Sequence, residues 1–122
     1  MEIKPEGLKE AIQELIDIYA DEVADILEKE AKETAKEAAK MLVQDSPRDS
    51  GGYAESWKSE VTLKGRGSVQ ATVYNEDKPG LIHLLEDGHM NRDGSRTPGR
   101  KHVDPVAKWA EEEFMKRLEE YL

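Results

Sequence analysis

The sequence predicts an α+β domain: a long N-terminal helix packed on a small antiparallel sheet, then a short helix, a long loop and a C-terminal helix. Three observations carry this. Apolar residues recur at steps of three and four over residues 5–44; two β-rich runs follow, joined by Lys64-Gly65-Arg66-Gly67; a second amphipathic stretch begins after residue 104. Helical and strand segments come in separate runs, without the strict alternation of a parallel α/β sheet. At 122 residues the chain has the size of one domain with one core.

The first helix is assigned to residues 5–44. Pro5 suits a first turn, and Glu2, Glu6 and Glu10 complement its positive end. Leu8, Ile12, Leu15, Tyr19, Val23 and Ile26, then Ala31, Ala35, Ala38 and Leu42, form one stripe. Glu22 and Lys29 stand where a heptad would require apolar residues, so a 3.6 period fits better than a coiled coil. Such a helix is about 60 Å long, whereas a domain of this size has a radius of gyration of about 14 Å. It either bends or projects, and a projecting apolar stripe points to assembly. The alanines of the second half allow close approach of a neighbour.

Asp45-Ser46-Pro47 stops this helix, since a residue before proline is pushed out of helical geometry. The run DSPRDSGG is rich in turn formers, and residues 45–80 read as a turn and a β-hairpin. Trp57, Val61 and Leu63 share one strand face; Val69, Ala71 and Val73 share one in the next. Residues 81–88 form a short helix that Gly88 ends as a left-handed cap. Residues 89–103 have no periodicity and read as a loop. Asp104 caps and Pro105 opens the last helix, residues 104–121, with Val106, Trp109, Ala110, Phe114, Leu118 and Tyr121 as its stripe.

Charge is unevenly spread. The net formal charge is −9; residues 1–44 hold 6 basic and 12 acidic side chains, residues 45–104 hold 9 and 10, and residues 105–122 hold 3 and 5. The helical ends are thus the acidic parts, and nucleic acid would be repelled at long range. No cysteine is present, which removes disulfides and thiolate metal sites. The N-terminus lacks the basic flank and apolar run of a signal peptide, and no apolar run spans a bilayer. The expectation is a soluble intracellular protein without a membrane anchor.

The chemistry-bearing residues gather between Leu81 and Pro105. His83 and Glu86 lie three apart on the short helix, with His89 and His102 beyond it. A small metal-dependent nuclease or peptidase built on His83, Glu86, His89 and His102 is the enzyme alternative. Zinc hydrolases, however, place two ligands on one helical face and a rigid third, and HExxH is absent. The favoured reading makes His83 a partly buried helix residue, makes His89 and His102 loop anchors, and expects no bound metal or cofactor. Ser50, Ser56 and Ser95 lack the setting of an activated nucleophile, Ser46 and Ser50 read as turn and capping residues, and Gly65-Arg66-Gly67 lacks the setting of a phosphate loop. Arg92, Arg96, Arg100 and Lys101 against Asp93 form a cationic run on an acidic chain. A loop this long is usually functional or disordered. It reads as a docking arm for acidic surfaces of a neighbouring subunit, mobile until assembly, anchored by Gly88, His89, His102, Asp104 and Pro105.

In order, the N-terminal helix, SPRDSGGYAESW, the hairpin, HLLEDGHMNRDGSRTPGRKHVDP and the closing helix resemble the head–tail joining (neck, or tail-completion) proteins of long-tailed bacteriophages and prophages. That family's first motif reads Pro-x-Asp-Thr-Gly; Pro47, Asp49, Ser50 and Gly51 match it, with serine for threonine. Its second reads Leu-Leu-Glu-x-Gly-His, a Gly/Arg-rich loop, then Pro-His-x-x-Pro. Leu84, Leu85, Glu86, Gly88, His89, His102 and Pro105 match, while Lys101 replaces a proline and Asp87 a residue often aromatic or Asn. The resemblance runs from about residue 8 to 120. It implies a non-enzymatic connector component, a homo-oligomer in or between rings, docked to connector, head-closure and tail proteins. DNA then passes nearby without sequence-specific binding, and the protein is a virion component assembled in the host cytoplasm. An acidic DNA-mimicking inhibitor is a further alternative, but it has no need of a cationic loop.

Overall fold

The structure, a computed structural model, describes residues 5–48, 51–65 and 68–121; for residues 5–13, 15, 16, 18, 64, 65 and 68 it describes the backbone. It is mixed α+β, as the periodicities predict. Helix α1 (Pro5–Asp45) is one unbroken helix. Strands β1 (Trp57–Gly65) and β2 (Ser68–Asn75) form an antiparallel hairpin. A 3₁₀ turn (Pro79–Leu81) leads into the short helix α2 (Ile82–Asp87). Strands β3 (Gly88–Met90) and β4 (Arg96–Pro98) follow, and helix α3 (Val103–Glu119) closes the chain.

The core sits where the second half of α1 meets the hairpin and α3. Ala31, Ala35, Ala38, Ala39 and Leu42 are buried. Ala38 and Leu42 pack with Tyr53, Trp57 and Val106. Small side chains on α1 let sheet and helix come close, so the alanine-rich stretch serves the chain's own hairpin and α3. They also leave an apolar cleft of about 270 Å³, lined by Ala31, Ala35, Ala38, Val69, Val73 and Phe114. Pairing of Val61 with Ala71 and Leu63 with Val69 puts the predicted apolar positions on one face, because strand side chains alternate. Leu63, at the far end, stays 58% exposed.

The end of α1 is fixed by Ser46. Its hydroxyl donates to the Leu42 carbonyl at 2.5 Å and accepts the Trp57 indole N–H at 2.8 Å. One buried side chain thus satisfies the last turn and aims Trp57 into the core. Of the predicted turn motif, Pro47 is half-buried and Gly51 takes φ +87°; Asp49 and Ser50 lie outside the described residues. Leu8, Ile12 and Leu15, whose side chains were assigned to the stripe, lie outside the described side chains as well. Further along that stripe, Tyr19 and Val23 are 58% and 48% exposed. The apolar face of α1 therefore outruns the domain that covers its second half.

Three local expectations are corrected. Residues 89–103, read as a loop without regular structure, contain the β3–β4 ribbon, with Gly88, His89 and Met90 paired to Pro98, Thr97 and Arg96. Three-residue strands are too short for periodicity to reveal. Gly88 has the positive φ expected of it, but with ψ 177°; it turns the chain straight into β3 rather than adopting the left-handed helical well. Asp104 does not cap α3. The helix starts at Val103, its N-cap is His102 without a side-chain cap bond, and the capping group comes from elsewhere.

Candidate functional site

The capping group is Glu86. Its carboxylate accepts the backbone N–H of His102 at 2.6 Å, of Val103 at 2.8 Å and of Asp104 at 3.2 Å. The first N–H groups of a helix have no partner inside it and carry its positive end. A carboxylate there is favourable, and here it arrives from α2, sixteen residues earlier. Glu86 is 7% exposed, so nearly all of its hydrogen-bonding capacity serves α3.

Beside it His102 is 1% exposed. Its Nδ1 lies 2.6 Å from the Arg100 carbonyl and its Nε2 2.6 Å from the Tyr53 hydroxyl. A carbonyl only accepts, so Nδ1 carries the hydrogen; in the neutral ring Nε2 then accepts from Tyr53. Tyr53 also packs edge-on against both Trp57 and His102, each at 5.6 Å between ring centroids. Its backbone carbonyl accepts from Asn75 at 2.8 Å. The turn after α1, the end of the hairpin and the start of α3 are thus joined through one tyrosine.

Burial, with the Glu86 charge adding, pushes the Tyr53 phenol up to about 12. The fold favours the neutral phenol, so this contribution is present below pH ~10, the unfolded value, and is lost as pH rises through about 12. Tyr53→Phe should destabilise by about 1–2 kcal/mol at neutral pH, because the His102 Nε2 loses its donor. Denaturant melts of both proteins should show that gap shrinking between pH ~10 and ~12. A constant gap across that range would remove Tyr53 from the network.

The ribbon is tied down over the same region. Gly88 and Gly99 touch backbone to backbone: a Cβ on Gly88 would lie 2.5 Å from the Thr97 carbonyl, and one on Gly99 would lie 2.5 Å from the Gly88 nitrogen. Asn91 closes the tip, its N–H donating to Ser95 at 2.7 Å and its side chain engaging Thr97. Asp93 accepts from the Ser95 hydroxyl and N–H, which hold its carboxyl below the usual range.

The four predicted docking cations separate into two pairs. Lys101 lies 2.5 Å from the Asp87 carboxylate, and that bond lowers Asp87 and raises Lys101 in pKa. Arg96 donates to the Asp87 carbonyl at 2.7 Å. Arg92 and Arg100 have exposed side chains, and among the described residues neither guanidinium forms an ion pair. Of the anchors, Gly88 and His102 hold the ribbon base, while Asp104 and Pro105 are exposed. His89 is half-buried and its Nδ1 has no hydrogen-bond partner among the described residues. His83, expected partly buried, is exposed.

The four residues of the enzyme alternative do not converge. Glu86 and His102 are committed to backbone and tyrosine, and among the described residues no group of three or more His, Asp or Glu has metal-holding geometry. Neither Tyr53 nor the capping role of Glu86 was evident in the sequence. The one available signal was Glu86 itself, an acid three residues after His83 on a short apolar helix.

A protein-family model described as "Bacteriophage HK97-gp10, putative tail-component" matches residues 9–88. The chain belongs to this family. The match covers α1, the turn, the hairpin and α2 up to Gly88, which places it among bacteriophage structural components, in keeping with the resemblance to neck and tail-completion proteins. The cationic ribbon and α3 lie beyond the matched residues. No curated protein and no solved structure matches the chain. Among the described residues no helix is long and apolar enough to cross a membrane.

Proposed function

We propose that this HK97-gp10-like protein is a non-enzymatic component of the phage head–tail connector, self-assembling and docking to neighbouring connector or tail proteins. The family match over residues 9–88 carries the reading. Two features support it. The apolar face of α1 continues past the domain to exposed Tyr19 and Val23, and burial of such a face on another subunit is favourable. Arg92 and Arg100 project from a ribbon whose base is held by Gly88, Gly99 and the Lys101–Asp87 pair, a rigid mount for two cations. A ring with DNA passing through it suits the net charge of −9, since DNA then slides past without adhering. Assembly takes place in the host cytoplasm, and the product is a virion component.

Arg92→Ser with Arg100→Ser should leave the melting temperature within about 2 °C of wild type, as exposed charges contribute little to folding. In a head–tail joining assay the same variant should yield about tenfold fewer joined particles at low salt, with the gap to wild type narrowing as salt rises and screens the wild-type contacts. Normal joining by this variant would overturn the docking role of the ribbon. Stoichiometric zinc binding that disappears in His89→Ala would instead favour the hydrolase.

A further inference from the structure

The chain exposes 9099 Å², whereas a compact folded protein of 13.8 kDa exposes about 6,600 Å². The excess, about 2,500 Å², is well above the area of about 800 Å² that one partner gives up in a standard interface. Two apolar features stay uncovered. One is the projecting half of α1, where Tyr19 and Val23 are exposed. The other is the open cleft of about 270 Å³ that α1, β2 and α3 leave between them.

The polar residues lining that cleft are Thr34 and Glu111. Glu111 is exposed. Thr34 is 4% exposed, and among the described residues its Oγ1 has no hydrogen-bond partner. A buried hydroxyl in that state costs free energy, so the occupant that suits the cleft is apolar with a hydroxyl at its tip. A cavity of about 150 Å³ already admits a benzene ring, so there is room for a phenol. Of the exposed large apolar side chains, Tyr19 and Tyr121 carry a hydroxyl, and Tyr121 already donates to Glu30 at 2.8 Å. Tyr19 is left. It cannot enter the cleft of its own chain, because Tyr19 and Thr34 stand fifteen residues apart on one unbroken helix, about 22 Å along its axis. The acids beside Tyr19 are not called upon: Asp17 and Asp21 already have interactions within the chain.

We propose that the cleft is a socket for a second copy of this chain, and that Tyr19 on the projecting helix is the side chain it takes. The ring lies against the α1 alanines, Ala71 and Phe114, and its hydroxyl donates to Thr34 Oγ1. Val23, one turn further along the same face, is covered in the same contact. Each copy carries one plug and one socket, so a single kind of contact covers both of its open apolar features. Charge opposes the contact, since each copy has a net charge of −9 and Glu111 lines the socket. Association therefore tightens as salt rises and screens that repulsion, the reverse of what the cationic ribbon requires. The inference rests on the self-assembly proposed above and names the side chain and the site through which it proceeds.

The test is sedimentation and light scattering of the full chain over a concentration series, with circular dichroism confirming the fold of each variant. Wild type should associate more tightly at about 0.5 M salt than at about 0.1 M. Tyr19→Ser, at an exposed helix position, should weaken association at least about thirtyfold. Ala71→Phe, which fills the socket from an exposed strand position, should do the same. Tyr19→Phe and Thr34→Val keep the shape of both surfaces and should each weaken association about five- to tenfold. Combined, they should lose no more than either alone, because they break one bond; this pair of variants keeps the test intact if Ala71→Phe misfolds. Fully additive losses, or none from either, overturn the Tyr19–Thr34 bond. Association that weakens with salt, or that Tyr19→Ser leaves unchanged, overturns the socket and leaves the self-assembly reading standing. A wild-type chain that stays monomeric at every concentration and salt overturns both.

Discussion

Replacing Glu86 with alanine should lower stability by about 3–4 kcal/mol, more than any exposed substitution on the chain. The residue is 7% exposed and its two carboxylate oxygens accept the N–H groups of His102, Val103 and Asp104. Hydrogen bonds to a charged group contribute about 1.5–3 kcal/mol each, and an N-cap alone about 0.5–2, with incomplete additivity. The substitution leaves three donors at the start of α3 without an acceptor, the first of them on buried His102. For a domain of this length the melting temperature should fall by about 10 °C. Glu86→Gln keeps the volume and one acceptor oxygen but turns an amide N–H₂ toward backbone donors, so it should cost roughly half as much. A drop under about 1 kcal/mol in Glu86→Ala, measured by denaturant unfolding, would mean that water replaces the carboxylate and that the inter-helix cap contributes little. Amide exchange sharpens the test: protection should be lost first at Val103 and Asp104, while the β1–β2 hairpin keeps its own.

The elements with a long period were legible from sequence. Leu42, Ala38, Ala35 and Ala31 are buried as their spacing requires, and the alternation of Val61 and Leu63 with Val69 and Ala71 fixes the hairpin face. Local reasoning failed where the partner is distant in the chain. Asp104 followed by Pro105 has the composition of a helix start, yet the acceptor is Glu86, which only the return of the chain brings within reach. His102 and Tyr53 stand 49 residues apart, and no spacing rule joins them. The β3–β4 ribbon escaped because its strands have three residues each and its order derives from Asn91, Ser95 and Asp93 hydrogen-bonding one another. These residues ordinarily signal a turn; here they close one. The candidate histidines lie close together in sequence, but burial divides them: His102 is enclosed, His83 is open to solvent, and among the described residues no shared ligand set forms.

Gly88→Ala should cost about 2–4 kcal/mol and detach the ribbon. Two effects add at this position. Its φ of +87° with ψ 177° lies in a region all but confined to glycine and costs a residue with a Cβ about 1–3 kcal/mol, and that Cβ would stand 2.5 Å from the Thr97 carbonyl and 2.7 Å from the Gly99 nitrogen. Both obstacles are backbone, so no side-chain rotation relieves them. Gly94 separates the two effects, because it has the same φ of +87° and a methyl there would meet nothing within 4 Å; Gly94→Ala should therefore cost only the conformational part, about 1 kcal/mol. Gly99→Ala approaches the same contact from the other strand, 2.5 Å from both Asp87 and Gly88, and should resemble Gly88→Ala. The double variant should cost much less than the sum, since the first substitution already parts the strands. Parting them moves residues 99–102 off α2, so the Arg100 N–H to Leu85 bond at 2.8 Å and the Glu86 cap should weaken together. Amide exchange at Arg100, His102 and Val103 then rises in Gly88→Ala and stays native in Gly94→Ala. Equal costs for Gly88→Ala and Gly94→Ala would show that φ alone matters and that the close approach of the two glycines does not hold the ribbon to α2.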